Sequence, residues 1–326
     1  MELRRRLQQA MQVHRPIYCS PQLVLSPDTA SAPDRPRVTV IVCTKNRPEF
    51  LGSCLQGIDR TLAAGDQLLV MEDGDSHGPD AVAGLASEYR LVHEDGHWKT
   101  WMLNRAAVLS ANEVLLMTDD DCEVPTGWIE GMARAFGDES VGIAFGPMEG
   151  LAGLPGGVPP RLLPGPAPFA PWWYSHGASM AVRRSALLEV GGFDERLGPG
   201  RPPGCGEEPD LILRLQRRGW ICVIADAPSV RHLEWRDKAE NVQTLLRYER
   251  GSGAWLGAAL RREGGRVLGL LKLRLHYQLG AFDRAELRGR WFGLRALLAF
   301  LSGLGRGLTF AEKRFIAPTS EIAAPW

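Results

Sequence analysis

The stretch "EVLLMTDDDCEVP", Glu113 to Pro125, decides how this chain is read. An apolar run ends in three adjacent carboxylates, Asp119, Asp120 and Asp121. Like charges this close repel, so a buried strand that ends on them needs a positive partner. A divalent cation bound to diphosphate oxygens is the natural one. Mn2+ and Mg2+ prefer hard oxygen ligands and commonly take one or two carboxylates together with substrate phosphates. In an extended or turning segment Asp119 and Asp121 point the same way. One can hold the metal while the other reaches a ribose hydroxyl or a metal-bound water, and Asp120 joins Asp119 on the nucleotide side. The competing reading is an acidic turn that caps the helix expected from Pro125.

Working outward, "VTVIVCT" (Val38–Thr44) is a β-branched run suited to a strand buried on both faces of a parallel sheet. Pro48 then opens a helix, with Phe50, Leu51, Cys54, Leu55 and Ile58 at helical spacing. "QLLVMEDGD", "RLVHE", "EVLLMT" and "VGIAFGPM" read as further strands. "DAVAGLASEY", "TWMLNRAAVLSA" and "PTGWIEGMARAF" read as the helices between them. This alternation predicts an α/β fold, a Rossmann-like, mostly parallel sheet flanked by helices. Ligands bind such sheets beyond the carboxyl ends of the strands. The polar clusters "TKNR", "EDGD" and "TDDD" fall at those ends. Later come a Gly/Pro-rich stretch at 150–171, a strand and helix in "ASMAVRRSALLEVGGFDERL", a helix after "GCGEE", and strands "ICVIADA" and "SVRHLEW". Helices are expected over roughly 238–262, 266–280 and 284–307. The expected boundaries are an N-terminal arm over 1–36, an α/β domain over 37–235 and a basic helical region over 236–326.

The 326 residues are 44% hydrophobic and carry zero formal net charge, but the charge is uneven. From Arg231 onward there are 17 Lys+Arg against 9 Asp+Glu, so the body is acidic and the tail basic. The last helix pairs Trp291, Phe292, Leu294, Leu297, Leu298, Phe300 and Leu301 with Arg288, Arg290, Arg295 and Arg306. Such a helix either lies in a bilayer interface or packs on the domain. The six cysteines show no zinc spacing and read as reduced, mostly buried thiols of a cytoplasmic protein, placed at most peripherally on the inner face of the membrane. No secretory signal, no spanning helix and no nucleic-acid partner are expected.

Other residues join the acidic strand end. Glu72 and Asp73 can accept hydrogen bonds from a base or ribose, although Asp-Gly also favours a plain turn. Thr44, Asn46 and Arg47 offer donors to a nucleotide, and Lys99 and Asn104 can face the same cleft. Glu207, Glu208 and Asp210 start a helix, where acids are favoured by the macrodipole; two acids beside a glycine-rich loop also make a general base. His232 ends an apolar strand, as a further metal ligand or a core histidine. Trp172 and Trp173, with Tyr174, either stack on an acceptor or pack in the core, and Asp210 stands with them as an acceptor contact.

Together these segments resemble the inverting family 2 glycosyltransferases of the GT-A fold. The carrying stretches are "VTVIVCTKNRPEFLGSCLQGI", "LLVMEDGDS", "LNRA", "VLLMTDDDCEVP", "ASMAVRRSALLEVGGFDERL" and "GEEPDLILRLQRRGW". The resemblance implies transfer of a sugar from a nucleoside diphosphate donor, linked to UDP, GDP or dTDP, to an acceptor hydroxyl; a lipid-linked acceptor and a natural product are both candidates, and the sequence does not choose between them. It implies inversion at the anomeric centre, Asp119 and Asp121 as the DxD carboxylates with Asp121 on the metal, and Glu208 as the base. The family's usual Glu-Asp reads Glu207-Glu208 here, so Glu207 shares the base assignment. Two rivals remain: a nucleotidyltransferase, although "CTKNRP" lacks a glycine-rich phosphate loop, and a non-catalytic carbohydrate-binding relative.

Overall fold

The computed structural model describes residues 35–75, 77–149, 175–233, 238–283 and 290–311. The Gly/Pro stretch 150–171, Trp172, Trp173, Tyr174, Arg288 and most of the arm lie outside the described residues.

Seven strands form the central sheet: β1 (Val38–Lys45), β2 (Gln67–Asp73), β3 (Tyr89–His93), β4 (Val114–Asp119), β6 (Val141–Phe145), β8 (Met180–Arg183) and β9 (Ile221–Ile224). Their order is β3-β2-β1-β4-β8-β6-β9. All neighbours are parallel except at β8, which runs antiparallel to both β4 and β6. The expected mostly parallel α/β sheet is therefore present. A small second sheet joins β5 (Cys122–Glu123), β10 (Val230–His232) and β7 (Met148–Glu149), in the order β5-β10-β7.

Strand β1 shows why the sheet forms. Val38, Val40 and Val42 enter one core layer while Ile41 and Cys43 enter the other, so both faces of the strand are covered. The first layer is closed by helix α1 (Pro48–Asp59) through Leu51, Cys54, Leu55 and Ile58, and by α4 (Trp128–Arg134) through Trp128, Ile129 and Met132. The second layer is closed by α3 (Lys99–Leu109), α5 (Arg184–Glu189) and α6 (Glu207–Arg217). Parallel registry sets the strand ends level: Thr44 opposes Glu72, Lys45 opposes Asp73 and Cys43 opposes Asp119. The strand order reverses direction around β1 and β4, the crevice where open α/β sheets bind ligands.

Two helices differ from expectation. Helix α2 holds only Gly78–Val82. Gly84 lies in the continuation of "DAVAGLASEY", and glycine weakens a helix interior; the chain turns there instead, with Leu85 N–H donating to the Val82 carbonyl at 3.1 Å. Helix α4 begins at Trp128 rather than Pro125, behind Gly127 at φ 86°. The aspartates are thus separated from that helix by β5, and they do not cap it.

Three C-terminal helices follow: α7 (Lys238–Glu263), α8 (Leu268–Asp283) and α9 (Arg290–Leu308). Trp255, Leu256, Val267 and Phe300 form a third apolar cluster that also takes in Leu197 and Leu213 from the sheet-bearing part. Helices α7 and α9 pack backbone to backbone. A Cβ on Gly253 would collide with the Phe300 carbonyl, and one on Gly303 with the Arg250 carbonyl.

Candidate active site

The local chain geometry around β1 aims its end residues. Pro48 disfavours the helical region for the preceding residue, and Arg47 sits outside the helix at φ −134°, ψ 56°. Asn46 takes a left-handed φ of 51°, which asparagine tolerates, and its side-chain oxygen accepts the Asp75 N–H at 2.7 Å. Asn46 therefore ties the end of β1 to the turn after β2.

The protein brings its own cations to the three aspartates. Lys99, the first residue of α3, hydrogen-bonds Asp119 Oδ1. Arg47 reaches Asp120 Oδ1 at 2.5 Å and Asp121 Oδ2 at 2.8 Å. Thr44 Oγ1 donates to Asp120 Oδ2 at 2.7 Å. His232 Nε2 lies 3.4 Å from Asp121 Oδ1. The small sheet places that imidazole: His232 pairs with Cys122 across β10 and β5, and Leu233 N–H donates to the Asp121 carbonyl at 2.9 Å.

Burial and charge then sort the acids. Burial favours the neutral form of Asp119, but Lys99 outweighs it and holds the carboxyl below its ordinary range. Burial likewise opposes the Lys99 ammonium, and Asp119 overcomes this and raises it. Asp120 is pushed up to about 6, chiefly by burial, with Arg47 and Thr44 opposing. Burial pushes His176 down to about 4, so this histidine is neutral near pH 7.

Glu72 and Asp73 end β2 and are both buried. Glu72 Oε1 accepts the His77 and Gly78 N–H groups at 2.7 and 2.6 Å, and its Oε2 meets His93 Nδ1 at 3.1 Å. Asp73 Oδ2 pairs with Lys45 at 2.6 Å, and its Oδ1 accepts the Gly96 N–H at 2.8 Å. Lys45 thus joins the site although nothing but its place beside Thr44 in "TKNR" distinguishes it in the sequence.

The start of α6 meets this cluster at Gly177. A Cβ there would stand 3.0 Å from Lys99 Nζ and 3.4 Å from Glu208 Oε1. Nothing in the sequence marked Gly177. Glu207 is buried, and a Cβ on Gly198 would lie 3.2 Å from its Cδ; its Oε2 has no hydrogen-bond partner among the described residues. Glu208 is half-buried. Burial raises both carboxyls above the ordinary glutamate range; Glu208 adds to the rise at Glu207, while Lys99 pulls each back.

Two expected site residues stand apart. Asn104 donates to the Phe193 carbonyl at 3.1 Å and to Glu195 at 2.9 Å, and accepts the Phe193 N–H at 2.7 Å. Its amide is committed to the turn after α5 rather than to the aspartates. Asp210 is fully buried, with Arg214 at 2.7 Å on one oxygen and Arg262 at 3.1 Å on the other. An acceptor reaches it only by breaking that network.

The donor set suits a hard cation. Ligand atoms of Asp119, Asp121 and Cys122 lie within 4.8 Å of one another. Burial pushes the Cys122 thiol well up, so it stays protonated and is a poor ligand. The two carboxylates, with the His232 imidazole beside them, fit Mn2+ or Mg2+.

Comparison with known proteins fits this arrangement. The glycosyl transferase family 2 model matches residues 39–159. The fold is similar to that of a mannosyltransferase, PcManGT from Pyrobaculum calidifontis, solved with GDP-Man and Mn2+: TM-score 0.56, 15% identity, 91% of this chain and 92% of that one. It is also similar to residues 1–349 of S. aureus TarS in complex with UDP-GlcNAc, at TM-score 0.51 and 14% identity, over 68% of this chain and 66% of that one. Against a longer TarS chain the match has TM-score 0.51 and 15% identity, with 82% of this chain and 55% of that one covered. At such identities the likeness is one of fold, the GT-A arrangement. No curated protein sequence matches the chain.

Proposed function

We propose that this chain, which the glycosyl transferase family 2 model matches over residues 39–159, is a glycosyltransferase that moves a sugar from a nucleoside diphosphate to an acceptor hydroxyl with inversion. The observation that carries the reading is the meeting at Gly177 of Lys99, which holds Asp119, with Glu208 from the start of α6. A diphosphate-side cluster and a base then face one small space. The domain match favours glycosyl over nucleotidyl transfer, and the GDP-Man and UDP-GlcNAc bound by the fold neighbours support a nucleotide-sugar donor.

Asp119 and Asp121 would hold the cation, with His232 beside Asp121. When bound there, Mn2+ or Mg2+ offsets the charge that grows on the departing diphosphate. Arg47 and Lys99 orient the carboxylates and add positive charge to the diphosphate side. Thr44, Asn46, Glu72 and Asp73 border the nucleotide end of the cleft. Glu208 takes the proton of the acceptor hydroxyl. The hydroxyl oxygen bonds to the anomeric carbon from the face opposite the leaving group as the bond to the diphosphate breaks. Glu208 suits this role better than Glu207 because it is the less buried of the two and its Oε1 borders the same space at Gly177 as Lys99 Nζ.

Asp121→Ala tests the diphosphate side. Titration calorimetry with GDP- and UDP-sugars in Mn2+ is expected to show donor binding in the parent and none that depends on metal in the variant. Unchanged, metal-dependent affinity in the variant removes Asp121 from the site.

A further inference from the structure

Helix α9 is apolar on two faces, one buried and one exposed. Its inner face, Ala296, Ala299, Phe300, Gly303 and Gly307, is packed against α7. Its outer face is also apolar. Trp291 is 78% exposed and Leu298 57% exposed, and Leu294, Leu301 and Leu308 are exposed with them. At 3.6 residues per turn these five share one stripe along the helix. Among the described residues they make up most of the large exposed apolar side chains, and Leu268 at the start of α8 is another. Single exposed leucines need no explanation, whereas a contiguous stripe marks a contact surface.

Charge identifies what it contacts. Arg295 and Arg306 are exposed on α9 and lie along one border of the stripe. Arg266 and Lys272 are exposed near the start of α8, and α9 contains no acidic residue. A second copy of this chain, docked through the same face with the two α9 helices antiparallel about a two-fold axis, would set arginine against arginine. An anionic headgroup layer neutralises them instead. Among the described residues no helix is long and apolar enough to cross a membrane. The stripe, with a tryptophan at one end, suits a helix lying in the interface plane.

We infer that the outer face of α9, Trp291, Leu294, Leu298, Leu301 and Leu308 bordered by Arg295 and Arg306, docks the protein on an anionic lipid bilayer. The tight glycine packing of α9 on α7 presents the stripe already formed, so docking does not require the helix to fold on the membrane.

The experiment is flotation of the full chain with vesicles of equal parts phosphatidylglycerol and phosphatidylethanolamine, and with pure phosphatidylcholine vesicles. The chain is expected to float with the anionic vesicles and to remain below with the neutral ones. Leu298→Gln and Leu301→Gln each weaken partitioning by about tenfold, the worth of one leucine withdrawn from an apolar surface. The pair Arg295→Glu and Arg306→Glu abolishes the anionic preference. Unchanged melting curves and unchanged donor binding in these variants keep this result separate from the sugar-transfer reading. The inference is overturned if the chain fails to float with anionic vesicles, or if the leucine variants float as the parent does. It is equally overturned if light scattering shows a dimer that the leucine substitutions dissolve, since the stripe then belongs to a second copy.

Discussion

At the scale of single residues, the site is a matter of how charge is shared. Asp119 is held ionised by Lys99, while Glu207 and Glu208 are pushed toward their neutral forms by burial. A base must be ionised to take a proton, so kcat for transfer is expected to rise with pH through a value above the ordinary 4.5 of glutamate. Glu208→Gln should keep donor binding and lose transfer by about 100-fold or more, the usual worth of a positioned base. Glu207→Gln should leave transfer measurable; if it alone abolishes transfer with Glu208 intact, the base is one residue earlier. The same burial has a cost in stability. A carboxyl whose folded pKa is raised stabilises the fold fully below its unfolded value, and that contribution is lost as pH rises through the raised value. Glu207→Gln removes the liability, so Tm at pH 8 should rise relative to the parent while the two proteins melt alike at pH 4. Melting curves at the two pH values check this.

At the scale of elements, β1, β2 and β4 deliver their polar ends to one level because parallel registry leaves them no other place. This was legible in the sequence: each strand is a continuous apolar run that stops at a polar cluster. The helix that opens with Glu207 and Glu208 was legible too, since "GCGEEPD" puts acids behind a glycine that adopts φ 105° at Gly206. The partner of each acid was not legible. Arg47 bridging Asp120 and Asp121, and Lys99 on Asp119, join residues dozens of positions apart, and spacing along the chain carries no record of that. Asp210 is the sharpest instance. It reads as one more acid in a first helical turn, yet Arg214 and Arg262 close over it and tie α6 to α7. Removing one partner from a buried ion network typically costs about 3–5 kcal/mol. Asp210→Ala is therefore expected to lower stability in denaturant unfolding by that order. Full stability with a selective loss of acceptor affinity would return Asp210 to the acceptor site.

At the scale of the whole molecule, the sheet-bearing part and the C-terminal helices share an apolar cluster around Trp255 and Phe300, joined by Leu197 and Leu213. The three C-terminal helices were legible from periodicity. Which face of the last helix turns outward was not, because α9 is apolar on both sides and only its glycines choose the side that meets α7. The identity of donor and acceptor is likewise absent from the sheet logic that revealed the site. The most direct test of the central claim is a thermal-shift and hydrolysis screen of UDP-, GDP- and dTDP-sugars with the full chain, with and without Mn2+ or Mg2+. At least one nucleotide sugar is expected to raise Tm and to be turned over only when the cation is present. If none binds or reacts with either cation, the account of a metal-dependent sugar transferase is wrong.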